Sequence, residues 1–227
     1  VWVAENSFGL PRDHAKKNVT NVVMMGMGEP LLNFVAVTEA MNLMMDDNAY
    51  GLSKRKVTLS TSGLVPMIDK LAEVTDAALT ISLHAPNNTL RNELVPLNKK
   101  YPIEELLAAV TRYVESCGDQ RKTTIEYILI NKVNDSLEDE KNLGAILKKI
   151  PSKINLIPFN PFPGSNYKRP SNMRIETFKK ALQREGYITT VRTTRGEDIM
   201  AACGQLVGKV NDITRKKERQ ILTKSVN

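Results

Sequence analysis

Short runs of β-branched and apolar residues alternate along this chain with segments of helical spacing, five or six times in succession. The runs cover residues 19–25, 57–60, 77–83, 123–130, 153–159 and 187–192. Between them, 33–45, 65–74, 102–116, 137–150 and 174–186 space their apolar residues as amphipathic helices do. Such repetition calls for parallel pairing, because each helix must carry the chain back across a sheet face before the next strand can start. A doubly wound open sheet and a full or partial β/α barrel both satisfy it. Polar residues recur where strands end, at Gly28 and Glu29, Ser60, Ser82 and His84, and Asn160. The active face of a barrel is furnished in this way, so the expected fold is α/β, a partial barrel of parallel strands.

The first run and its exit, Asn21-Val22-Val23-Met24-Met25-Gly26-Met27-Gly28-Glu29-Pro30, carry the densest chemistry. Residues 19–25 show no polar face, which predicts a strand buried on both sides. Gly26 and Gly28 let the backbone turn and approach a ligand with no Cβ in the way. Glu29 follows as an isolated carboxylate, and Pro30, with fixed φ and no N–H, suits the first turn of a helix. Together they describe a small-molecule site at the carboxyl edge of a sheet. An ordinary tight βα turn has the same spacing.

With 32 Lys and Arg against 25 Asp and Glu the formal net charge is +7, which favours an anionic partner such as RNA. Lys54-Arg55-Lys56, Lys99-Lys100, Lys168-Arg169, Arg192, Arg195 and Arg215-Lys216-Lys217 are candidates for phosphate contacts, or simply solvated surface. Phe162 and Tyr167 offer aromatic faces for stacking, or loop packing. The two cysteines, Cys117 and Cys203, lack the spacing of a disulfide scaffold or a structural zinc site. A reducing, cytoplasmic setting fits them. No apolar run is long enough to span a bilayer and no signal-type opening is seen, so no membrane partner is expected. Val1-Trp2-Val3-Ala4 reads as the inside of an element, so a segment is expected upstream.

These motifs resemble a known family. Residues 22–33 look like the region of radical S-adenosylmethionine (SAM) enzymes that binds the methionine end of SAM. More narrowly, Val57-Thr58-Leu59-Ser60-Thr61-Ser62-Gly63, Ser82-Leu83-His84-Ala85-Pro86-Asn87, Asn98-Lys99-Lys100-Tyr101, Asn160-Pro161-Phe162-Pro163-Gly164 and Ala201-Ala202-Cys203-Gly204-Gln205-Leu206 are similar to the RlmN branch of the RlmN/Cfr family. The likeness runs in order from about Asn18 to about Thr214. It implies methylation of carbon 2 of adenine in 23S rRNA and tRNA, with SAM and a 4Fe-4S cluster as cofactors and a flavodoxin-type reductant as electron donor, in a monomer; a radical SAM activase or other radical SAM enzyme, and a non-catalytic RNA-binding α/β module, are the alternatives.

By the same resemblance, Gly28, Glu29, Ser60, Ser82, Leu83, His84 and Asn160 contact SAM, and Cys203 is the catalytic residue that accepts and then carries the methyl carbon. The family binds its cluster with a C-x-x-x-C-x-x-C triplet upstream of the glycine motif, and this chain has none. Cys117 and Cys203 cannot supply three thiolates at that spacing. The chain is therefore expected to be the carboxyl-terminal portion of a longer protein, a radical-SAM-type partial barrel lacking its first strand and cluster loop, and to be inactive alone. Residues 1–18 would be the remnant of a preceding helix and linker, 19–193 the SAM-binding partial barrel, and 194–227 the cysteine loop and a basic tail. Cys117 matches no family cysteine and is expected to be structural or incidental.

Overall fold

The computed structural model describes residues 19–192, apart from 27, 119, 120 and 163. Its six strands are β1 (Val22–Met24), β2 (Val57–Thr61), β3 (Ala78–Ser82), β4 (Thr123–Leu129), β5 (Ser152–Pro158) and β6 (Ile188–Val191). They lie in one sheet in the order β1-β2-β3-β4-β5-β6, every pair parallel. A doubly wound sheet reverses its order at a switch point; this one never does. Successive right-handed crossovers therefore place all the helices on one face. The helices are α1 (Phe34–Met45), α2 (Val65–Val74), α3 (Asn88–Leu94), α4 (Ile103–Cys117), α5 (Leu137–Leu147) and α6 (Asn172–Arg184). Within that layer α1 packs on α2, α2 on α4, and α5 on α6. The sheet is that of a partial barrel; it does not close.

Period-two alternation divides each strand between two environments. In β4, Ile125, Tyr127 and Leu129 face the helices, while Thr124, Glu126 and Ile128 face the concave side. Leu59, Ile81, Ile154 and Leu156 join the helix-side layer against Ile68, Leu71, Leu106, Val110, Leu143 and Leu182. Burying a side chain of this size contributes about 1.5–3 kcal/mol, so this layer supplies most of the driving force. Tyr127 stacks on Phe178 with ring centroids 5.7 Å apart. Its hydroxyl donates to the Asn134 carbonyl at 2.9 Å. Cys117 lies half-buried against the same core, in keeping with a structural part.

The ends of the helices follow from local chemistry. Gly118, at φ 66°, ends α4 in the left-handed conformation that glycine tolerates best. Ser136 and Asp139 form a reciprocal capping box at the start of α5. Two expectations are corrected. The opening strand is three residues long rather than seven. It is also not buried on both faces: β1 is a sheet edge among the described residues, and Val23 is 49% exposed on its concave side. The helix after Pro30 begins as a 3-10 turn, Pro30–Asn33, before α1. The sequence reading also passed over α3, whose seven residues are too few to show a helical period.

Candidate functional site

Because all six strands are parallel, their carboxyl ends share one edge, and hydrogen bonds link the exits of β1 to β5 in turn. At β1, the Glu29 side chain accepts from the Leu31 N–H at 3.1 Å, capping the 3-10 turn, and from the Ser62 N–H at 2.8 Å, which ties it to the exit of β2. Gly28 sits at φ 88° with open space around its missing Cβ. The conformation, not the clearance, calls for glycine there. Gly63 is different: at φ 108°, an added Cβ would lie 2.9 and 3.0 Å from the Leu106 methyls.

Arg91, on α3, is 0% exposed and binds the next two exits together. Its Nη2 donates to the Ser62 carbonyl at 2.7 Å and to the Ser82 carbonyl at 3.3 Å, and its Nε donates to the Leu83 carbonyl at 3.0 Å. Nη1 donates to Asn98 Oδ1 at 2.8 Å. Asn98 is held in turn by Asn88 and Asn92, its amide donating to both side-chain oxygens. Hydrogen bonds from a charged donor contribute about 1.5–3 kcal/mol each, offsetting the several kcal/mol needed to take a guanidinium out of water. Burial lowers the Arg91 pKa to about 10, which leaves it a cation at neutral pH. Among the described residues no carboxylate forms an ion pair with it.

His84 follows β3 at φ 63°, a left-handed position that strains a non-glycine residue. Four contacts hold it there. The Leu83 and His84 N–H groups both donate to the Glu126 carbonyl, the Ile128 N–H donates to His84 Nδ1 at 3.2 Å, and Asn134 Nδ2 donates to the His84 carbonyl at 2.9 Å. With Nδ1 an acceptor, the ring proton sits on Nε2. Burial, and then the Arg91 charge, hold this imidazole down at about 4, outweighing its hydrogen bond with the Glu126 backbone. His84 is thus a neutral donor at physiological pH. The Leu129 carbonyl accepts from the Phe159 N–H at 3.0 Å, bringing Asn160 to the same edge. Phe159 packs against both Phe162 and Tyr167.

Below this edge, on the concave face, Ser82, Glu126, Asn155 and Thr190 stand in register across β3 to β6. Thr190 donates to Asn155 Oδ1 at 3.2 Å. Burial raises the Glu126 carboxyl pKa, against the pull of Arg192 and of hydrogen bonds from Asn155 and Ser82. Arg192, at the exit of β6, also brings its Nη1 to 4.0 Å from Met25 Sδ beside β1, so the two edges of the sheet approach each other across the concave side.

Of the residues expected to contact SAM, Glu29, Ser82, Leu83 and His84 join one connected network, Ser60 lies buried on β2, and Gly28 and Asn160 share the edge. Cys203, Arg195 and the tail fall outside the described residues. Sequence reasoning missed Arg91, Glu126 and Asn134. A lone acid between Ile125 and Tyr127 in a β-rich run was a usable signal; Arg91 and Asn134 look like ordinary surface polar residues until the fold buries them.

Residues 10–143 match the model of the Radical SAM superfamily, which is more than half of the chain. The chain belongs to the radical SAM superfamily. It is 61% identical over its whole length to the dual-specificity RNA methyltransferase RlmN of Marinobacter nauticus, and covers 61% of that protein. It is 62% identical over 99% of its length to the RlmN of Saccharophagus degradans, covering 57% of it. The chain thus spans about three fifths of the length of these curated relatives. Among solved structures, a radical SAM methyltransferase from Sphaerobacter thermophilus aligns over 84% of this chain and 56% of that one, with a TM-score of 0.77 and 47% identity. A domain of pyruvate-formate lyase-activating enzyme from Bacteroides vulgatus, at 19% identity and a TM-score of 0.58, shares the fold. The motif likeness to the RlmN branch thus extends along the whole chain.

The edge fits a zwitterionic ligand such as SAM. It offers Glu29 as an acceptor and the neutral His84 Nε2–H as a donor. It does not fit an iron–sulfur cluster. Among the described residues no group of three or more Cys, His, Asp or Glu could hold a metal. No helix among them is long and apolar enough to cross a membrane.

Proposed function

We propose that this chain is the SAM-binding and methyl-carrying part of a radical SAM methyltransferase that modifies carbon 2 of adenine in 23S rRNA and tRNA. What supports the reading most is the 58–62% identity to proteins named as dual-specificity RNA methyltransferases over essentially the whole chain. Carbon 2 of adenine is neither acidic nor a good nucleophile toward a sulfonium methyl, so the family's radical chemistry suits the target. In this reading Glu29 receives the ligand's ammonium, a charge-assisted contact. The Ser60 and Ser82 hydroxyls, the Leu83 backbone, His84 and Asn160 orient the rest, and Gly28 admits the methionyl end close to the backbone. Cys203 accepts a methyl group and hands its carbon to the base. A cluster bound upstream would supply the electron that cleaves SAM, delivered by a flavodoxin-type donor, in a cytoplasmic monomer.

The test is mass analysis of the full gene product purified from cells. A peptide containing Cys203 should carry one added methyl group, and Cys203→Ala should abolish adenine-C2 methylation of ribosomal RNA. An unmodified Cys203, with methylation persisting in the Ala variant, would refute the proposal.

A further inference from the structure

At the carboxyl edge of a parallel sheet the last carbonyls have no strand to pair with, and they gather partial negative charge where a ligand arrives. Here three such oxygens, on Ser62, Ser82 and Leu83, converge on one fully buried guanidinium. A neutral donor could have satisfied them. Arg91 does so while adding a full positive charge that no carboxylate among the described residues cancels, and Asn98, not an acid, completes its fork. The motif Asn98-Lys99-Lys100-Tyr101, which the SAM contacts leave without a purpose, acquires one: Asn98 aims the guanidinium.

We propose that Arg91 is a positioning residue that sets the polarity of the site, making the rim formed by β2 and β3 receptive to the carboxylate of an α-amino-acid ligand. The proposal rests on the SAM reading, in which that carboxylate belongs to the methionyl end. Arg91 does not touch the ligand. It withdraws three carbonyls that would repel an anion and projects its charge through them, while His84 Nε2–H provides a direct donor. The site then has two poles, Glu29 for the ammonium and the Arg91 side for the carboxylate, which orients a zwitterion in one sense.

The experiment compares SAM with decarboxylated SAM, which keeps the adenosyl group, sulfonium and ammonium but lacks the carboxylate, by equilibrium binding to the cluster-loaded full gene product. Arg91→Met removes the charge. Asn98→Asp cancels it with a carboxylate at the 2.8 Å contact, while giving up the hydrogen bonds that the Asn98 amide donates to Asn88 and Asn92, a loss that weakens both ligands alike and so leaves the ratio as the readout. Each should lower the preference for SAM over decarboxylated SAM by about tenfold or more, whereas Arg91→Lys, which keeps the charge, should hold the preference within about twofold of the unaltered protein. A purely structural role would weaken both ligands equally, and an unchanged ratio in Asn98→Asp overturns the proposal even if Arg91→Met fails to fold. If the unaltered protein binds SAM but the ratios do not move, this inference alone fails. If the unaltered protein binds neither compound, the SAM reading fails and this inference with it.

Discussion

Asn134 is 0% exposed, and its amide works as a three-way brace. Oδ1 accepts from the Ile130 N–H at 2.7 Å, and Nδ2 donates to the Ile128 carbonyl at 2.7 Å and the His84 carbonyl at 2.9 Å. The orientation of the amide is unambiguous, since an N–H can only donate and two carbonyls can only accept. Asn134→Ala leaves all three groups without this partner in a site that water does not reach. Each buried orphan costs about 1–3 kcal/mol, and the strain held in His84 loses its clamp. The summed loss is about 3–9 kcal/mol, a large share of the 5–15 kcal/mol that stabilises a typical domain. Asn134→Asp separates hydrogen bonding from volume: it has nearly the same shape but turns the donor into an acceptor facing two carbonyls. It should destabilise no less than Ala does. Guanidinium chloride unfolding of the full gene product, followed by circular dichroism, measures both through the midpoint at constant slope. A loss below about 1 kcal/mol for the Asp variant would refute the assignment of Asn134 as the brace.

Two further predictions concern the same edge. The His84 ring, held at about 4 against an ordinary 6.5, has its folded-state pKa below its unfolded one. As the pH falls, the unfolded chain takes up that proton first. The contribution is therefore intact above pH 6.5 and drains away between 6.5 and 4, by on the order of 3 kcal/mol. An NMR titration of the ring checks it, and a midpoint near 6.5 would contradict the burial argument. Gly63→Ala forces a Cβ onto Leu106 at a φ of 108° and should cost about 2–4 kcal/mol. Thermal unfolding should show Leu106→Val restoring part of that loss, and no recovery would mean that backbone strain alone is responsible.

The alternation of β-rich runs with helical spacing was enough to read the parallel sheet and five of the six helices, because those elements bury a continuous stripe of Leu, Ile and Val. Where burial is asymmetric the reading slipped. Val22-Val23-Met24 looks like an interior strand by composition, yet its outer neighbour is missing among the described residues and Val23 meets solvent. The site was legible through strand-end residues such as Glu29 and His84, which stand beside glycine or proline signals. Arg91 and Asn134 were not: their importance comes from carbonyls far along the chain, Ser62 for Arg91 and His84 for Asn134. No local pattern encodes such a partnership. Glu126 was intermediate, visible as an acid out of place in a strand, with a function that emerges only when Ser82 and Asn155 are brought alongside it.

Among the described residues, each strand pairs only with the strands synthesised immediately before or after it. Nascent chain can then accrete onto the growing sheet one unit at a time, with each new edge waiting only for the next few dozen residues to emerge. None of the described strands is held open for a distant mate, so an interruption of translation leaves a shorter sheet whose existing seams are already native.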